Sequence, residues 1–167
     1  VTNFDFIQVL LRYNEIYPGN PNQTDYDLKI NQTLEFIWEH LYDSDLGGFY
    51  DNTNVNGTNT DTIKTAKEQF VATSTLVKLF NITANKTYYR LAEETMAFVN
   101  TYLWDYIQGG YLHIVDKDGT LHSTYENWKF TSTQQYGVIA ACNLDDVKSN
   151  LLLPPIMSIS INTTDLD

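Results

Sequence analysis

Phe36-Ile37-Trp38-Glu39-His40-Leu41-Tyr42-Asp43-Ser44-Asp45-Leu46-Gly47-Gly48-Phe49-Tyr50 is answered, without a gap, by Phe98-Val99-Asn100-Thr101-Tyr102-Leu103-Trp104-Asp105-Tyr106-Ile107-Gln108-Gly109-Gly110-Tyr111-Leu112. The apolar positions, one aspartate (Asp43, Asp105) and a double glycine all return 62 residues on. A period of this size marks stacked supersecondary units, none of which buries its apolar face alone.

Before each loop the apolar residues follow a helical period. Tyr88, Leu91, Ala92, Thr95, Met96, Val99 and Leu103 make one stripe; Ile30, Leu34, Ile37 and Leu41 make its partner. Thr24 and Asp27 stand at capping-box spacing before the earlier helix, and Asn85 is placed to cap the later one. A second helix type alternates with the first. Lys64 to Leu76 aligns on Lys129 to Ala141 at an offset of 65, with Lys and Gln in register, and Phe4 to Tyr17 reads as a third member. The pattern predicts five helices, over about 4–17, 26–42, 64–80, 86–104 and 129–144, in the order A-B-A-B-A.

The loops are headed by Gly-Gly, which suits positive φ at a helix end. In the second loop Tyr111–Val115 and Thr120–His122 flank Asp116-Lys117-Asp118-Gly119, which predicts a β-hairpin, and Phe49–Thr60 is expected to form a looser one. The fold class is therefore all-α: antiparallel α-hairpin repeats with small β-hairpins in the Gly-Gly loops. Residues 1–150 form the repeat domain. Residues 151–167 form a linker with Pro154 and Pro155 and a tail in which Met157 to Asn162 alternates like a strand.

The chain has 167 residues, 14% of them aromatic, and a formal charge of −11, which argues against a nucleic-acid partner. No apolar run reaches the roughly 20 residues of a membrane span. There is no initiator Met and no leader, so the expected start is a processed end or the interior of a precursor. Six sites read Asn-x-Thr: Asn22, Asn31, Asn56, Asn81, Asn85 and Asn162. Composition alone predicts about three, so N-glycosylation and an extracellular or cell-surface location are expected. The lone Cys142, in an apolar run, reads as a small buried hydrophobe. A surface chain without disulfides points to an archaeal or bacterial source.

The order helix, Asp-x-x-x-Gly-Gly-aromatic loop, Lys/Gln-bearing helix and Tyr88-Tyr89-x-x-Ala92 helix resembles the (α/α) toroids, which include N-acylglucosamine 2-epimerases and six-hairpin glycoside hydrolases. The resemblance spans residues 26–144 and implies that the Gly-Gly loops border a sugar cleft. A full toroid has six hairpins and this chain holds about two and a half, so the resemblance is to part of one.

Paired-carboxylate hydrolysis needs two carboxylates facing one cleft, from among Asp45, Asp51, Glu68 and Glu126. Epimerase-like chemistry needs histidines, from among His40, His113 and His122. Glu68, Glu126 and His113 are the catalytic candidates. Tyr50, Trp104, Tyr111, Tyr125 and Trp128 are candidates for stacking on a glycan, for an interface or for the core. Asp43-x-Asp45 and Asp116-x-Asp118-Gly119 faintly match a Ca2+ loop without its later ligands; no other cofactor is indicated. Lys64 and Lys129 recur at a helix start, against the dipole, which predicts partners in Asp43 and Asp105.

The first functional expectation is a glycosylated extracellular structural or assembly module of a surface layer or filament, with no self-contained active site and self-association through the 156–162 strand. The alternatives are a carbohydrate-active domain, hydrolase or epimerase-like, within a larger toroid, and a non-catalytic glycan-binding module.

Overall fold

The computed structural model describes residues 2–54, 56–58, 62–124 and 128–152. Helices α1 (Asn3–Ile16) and α2 (Gln23–His40) form one hairpin. Helices α3 (Ala66–Thr83) and α4 (Lys86–Phe98) form the second, with a π-helical turn Val99–Leu103 closing it, and α5 (Thr131–Leu152) is the last helix. This is a partial (α/α) toroid. Helix α3 packs against α1, α4 and α5, and α2 packs against α1.

Local chemistry places the helix starts. Thr2 and Asp5 exchange side-chain and backbone bonds of 3.2 Å as a capping box on α1. Asn85 Oδ1 accepts from the Thr87 N–H at 3.0 Å, as its sequence position predicted. The expected Thr24–Asp27 box is absent. The turn through Asn20 starts α2 three residues earlier than expected, and Asp27 accepts instead from the Asn14 side chain at 3.0 Å. The last helix runs past the expected end near 144, because Val147 continues the buried stripe from Ala140. The strand-like tail and Asn162 lie outside the described residues.

The core surrounds α3, which is buried on nearly every side. One cluster joins it to α1, α2 and Phe49; a second joins Phe70 to Phe98, Leu103, Val115 and Ala140. Phe70 is fully buried, and its removal to Ala is worth about 3–5 kcal/mol. Gly137 brings α5 close: a Cβ there would stand 2.9 Å from the Phe70 ring.

The β structure departs from the expected hairpins. Strand β1 (Ile63–Thr65) comes from the first loop and β2 (Ile114–Asp116) from the second, and they pair antiparallel with Lys64 opposite Val115. The two loops are thus zipped to each other. Within the second loop the Trp104–Tyr111 bridge closes the Gly-Gly turn and the Val115–Leu121 bridge spans the Asp116–Thr120 turn. Pairing across loops buries Ile114 and Val115, which a lone two-stranded hairpin would leave wet.

Candidate functional site

Each Gly-Gly loop is tied down by the same polar latch. Lys64 Nζ donates to Asp43 Oδ2 at 2.6 Å and to the Gly47 carbonyl at 2.8 Å. Lys129 Nζ donates to Asp105 Oδ2 at 2.6 Å and to the Gly109 carbonyl at 2.7 Å. The other oxygen of each aspartate accepts two loop amides, from Asp45 and Leu46 in one copy and Ile107 and Gln108 in the other. A glutamine then clamps the residue after the glycines: Gln69 bonds both N–H and C=O of Phe49, and Gln134 those of Tyr111. Gly47, Gly48, Gly109 and Gly110 all hold φ between +71° and +86°, which L side chains rarely adopt. The repeated lysines therefore have the partners their position predicted.

The latches hold the loops over the N-terminal end of α3. Asp51 follows the first latch; its N–H donates to the Ile63 carbonyl at 3.0 Å and its Oδ1 accepts from the Thr65 hydroxyl at 2.9 Å. His113 follows the second latch. Its carbonyl accepts from the Ala66 N–H at 2.9 Å, and its N–H donates to the Trp128 carbonyl at 2.8 Å. Glu68 lies in the first turn of α3, on the same cleft as Thr2, the N-cap of α1. A cleft of about 210 Å³, bordered by Thr2, Phe49, Tyr50, Asp51, Thr53 and Glu68, opens beside it.

The electrostatics separate these groups. Burial raises the Glu68 carboxyl above its usual range, and the Asp51 carboxylate adds to the rise. Burial lowers the His113 imidazole, with Asp51 opposing. The site thus sets a carboxyl shifted up and an imidazole shifted down, both acted on by the Asp51 charge, and such a separation of titrations suits proton transfer. The His113 ring stands edge-on to Phe130 at 4.7 Å, and Phe130 meets Trp128 at 5.8 Å. Trp128 remains 51% exposed.

The remaining sequence candidates are spread elsewhere. Tyr125 and Glu126 lie outside the described residues. Tyr111 packs between Trp104 and Phe70, each at 4.8 Å, so Trp104 and Tyr111 serve the core. Tyr50 donates its hydroxyl to Asp43 at 3.1 Å; burial, with Asp43 nearby, pushes it up to about 12. Its hydroxyl is committed to the latch. His40 stacks on Phe36, and the ring nitrogen of His122 accepts from the Thr124 N–H. Cys142, expected to be buried, is exposed because it lies on the open side of α5. Asn22, Asn31, Asn56, Asn81 and Asn85 are all exposed. Asp43 is occupied by its latch, and Asp118 by Thr120. Among the described residues no three His, Cys, Asp or Glu side chains gather as a metal site. No described helix is long and apolar enough to cross a membrane.

Sequence reading weighed Asp51 only as one of four loop carboxylates and did not see that it joins Glu68 to His113. Asp51 and His113 hold matching places in the 62-residue repeat, just after the two Gly-Gly loops, but nothing local to either says that both loops fold onto the start of α3. The glutamine clamps did leave a signal, because Gln69 and Gln134 recur in register.

No family model and no curated protein matches this sequence. Solved structures do. The chain is similar to the cellobiose 2-epimerase from Spirochaeta thermophila (TM-score 0.74, 19% identity), over 88% of this chain and 38% of that one. It is similar to the cellobiose 2-epimerase from Bacillus thermoamylovorans (0.73, 18%), over 88% and 39%. A D-mannose isomerase also matches (0.70, 19%), over 86% and 37%. The chain spans about two-fifths of the length of these structures. They overturn the first functional expectation, a structural module of a surface layer or filament, because the proteins that share the fold are sugar isomerases and epimerases.

Proposed function

We propose that this chain is a carbohydrate-active domain of a larger (α/α) toroid, whose loop end moves a proton on a sugar as an epimerase or isomerase does. The observation that carries the reading is the gathering of Glu68, Asp51 and His113 beside Trp128, in a fold shared with a mannose isomerase and cellobiose epimerases. Shifting a proton at the carbon beside a sugar carbonyl needs one group to take it and another to deliver it. Glu68 is the acid and His113 the base; burial first, and the Asp51 charge second, raise the Glu68 carboxyl for that role. The flat face of Trp128 meets the sugar ring. Hydrolysis by paired carboxylates is the second reading, since the Asp51 charge acts on Glu68; the imidazole of His113 nearby favours proton transfer.

The test is incubation with mannose and with cellobiose in deuterium oxide, read by NMR. Deuterium is expected to enter beside the carbonyl carbon, and Glu68→Gln to slow its entry about 100-fold or more. Exchange that is absent, or unchanged in Glu68→Gln, removes the assignment. Release of monosaccharide without exchange transfers the site to hydrolysis. The same variant has a stability readout. Folded Glu68 titrates above the unfolded value of 4.5, so ionising it weakens the fold as pH rises through its folded pKa. Glu68→Gln is therefore expected to raise the urea midpoint at neutral pH, where a merely structural glutamate would lower it.

A further inference from the structure

Of the six Asn-x-Thr sites, five lie among the described residues with an exposed asparagine, and proton transfer at the loop end uses none of them. Attaching a glycan to such a site needs the asparagine carboxamide and the threonine hydroxyl presented together on accessible chain. The folded chain grants this very unevenly.

Inside an α-helix, residues two apart do not face each other. Asn31 with Thr33 and Asn81 with Thr83 lie within α2 and α3. Both threonine hydroxyls donate back along their helices, to the carbonyls of Lys29 and Leu79, each at 2.7 Å. Asn22 opens α2 at ψ 4° without a side-chain capping bond, and Thr24 already stands in the first turn. At Asn56 a neighbour has taken the threonine. Asn54 accepts from the Thr58 N–H at 2.9 Å and donates to the Thr58 hydroxyl at 2.8 Å.

Asn85 is placed differently. Ala84, at φ 56°, ends α3 in the left-handed region, and the chain turns into α4 through Asn85, which is extended at φ −77° and ψ 108°. Asn85 Oδ1 accepts from the N–H of Thr87, the threonine of its own site, at 3.0 Å. Such an Asx turn folds the carboxamide back towards the residue two positions on. Only the oxygen is used. Among the described residues nothing accepts from Asn85 Nδ2 or bonds the Thr87 hydroxyl, and both residues are exposed.

We propose that Asn85 is the N-glycan acceptor of the folded chain, with a lipid-linked oligosaccharide phosphate as the sugar donor. Nδ2 forms a bond to the anomeric carbon of the first sugar. The bond from that carbon to the phosphate oxygen breaks, its electron pair leaves with the lipid phosphate, and Nδ2 releases one proton. Oδ1 is untouched, so the cap on α4 survives the modification. The turn lies at the far end of the 18-residue α3, about 27 Å from the end that carries the candidate site. A glycan there leaves the loop end open, whether or not that end acts on sugar.

The test incubates the purified folded chain with a solubilised oligosaccharyltransferase and its lipid-linked donor, and reads each site by peptide mass mapping. Short peptides spanning the same sites, in which no fold selects, serve as the control for transfer. Occupancy of Asn85 is expected to exceed that of Asn31 or Asn81 by about tenfold or more in the folded chain, and the peptides to differ far less. Asn85→Asp keeps an oxygen for the cap, so it is expected to unfold at the wild-type temperature and to lose the modification. A folded chain left bare at Asn85 while the peptides react overturns the proposal. So does a folded chain modified at least as fully at any other described site.

Discussion

In the first latch the side chains of Lys64 and Asp43 are 0% and 7% exposed; in the second, those of Lys129 and Asp105 are 22% and 13% exposed, although both ion pairs measure 2.6 Å. The difference comes from what lies on top. Phe98 and Tyr50 roof Lys64, and the Tyr50 hydroxyl gives Asp43 an additional donor. Leu112 stands where the second copy would have that tyrosine, and no described aromatic residue stands where the next Phe98 would be. The same lysine–aspartate–carbonyl latch therefore operates in two different media. The latch is written into each repeat; the seal over it is supplied by the following hairpin.

The largest test of this contrast is loss of the cation. Lys64→Met leaves the Asp43 carboxylate buried without its counter-charge, and the expected loss is about 3–5 kcal/mol. Lys129→Met leaves Asp105 able to reach water, so its loss is expected to be clearly smaller. Urea unfolding of the two variants measures this, and equal losses would show that the roof over the first latch is energetically silent.

A smaller effect is expected at the glycines. Gly48→Ala forces an L side chain to φ +76° and places its Cβ 2.8 Å from Gln69 Oε1 and 3.1 Å from Phe98. Strain and overlap together are expected to amount to about 2–4 kcal/mol. Gly110→Ala meets the ends of two flexible side chains, Gln134 Oε1 at 3.2 Å and the Lys129 chain at 3.6 Å, so the backbone term of about 1–2 kcal/mol should dominate. Thermal unfolding ranks the pair, and the order reverses only if Phe98 yields freely.

How much of this was legible beforehand follows from the range of each signal. The five helices were readable because Ile30, Leu34, Ile37 and Leu41, and their counterparts from Leu91 to Leu103, repeat the helical period over several turns. The latch lysines were readable because a cation at a helix start is unfavourable twice over. The pairing of Ile63–Thr65 with Ile114–Asp116 was not, since three residues of alternation name no partner. Cys142 was misplaced for a related reason. Its apolar neighbours include Ala140, which faces α3, and Val138, which faces outward, and only the packing of α5 decides between the two sides. The convergence at the candidate site is a tertiary fact, because Asp51 and His113 are brought together by two loops that fold onto the same helix end.

Acid titration gives the finest test. The Lys129 ammonium, with the amides of Gln108 and Ile107, holds Asp105 down at about 2. Asp43 is also lowered, since Lys64 and the loop amides outweigh the burial that opposes them. A carboxyl whose folded pKa lies below its unfolded one stabilises the fold above the unfolded value, about 3.9, and loses that stabilisation as pH falls through the folded value. Both latches are therefore expected to hold their full contribution above about pH 5. The second gives its contribution up progressively between about pH 4 and pH 2. Lys129→Met removes the largest cause of the Asp105 shift, so the wild-type and variant urea midpoints should approach each other over that interval. A gap that stays constant down to pH 2 would mean that Lys129 acts through packing of its methylene chain. The second latch would then be a spacer, and the likeness between the two loops would be one of shape alone.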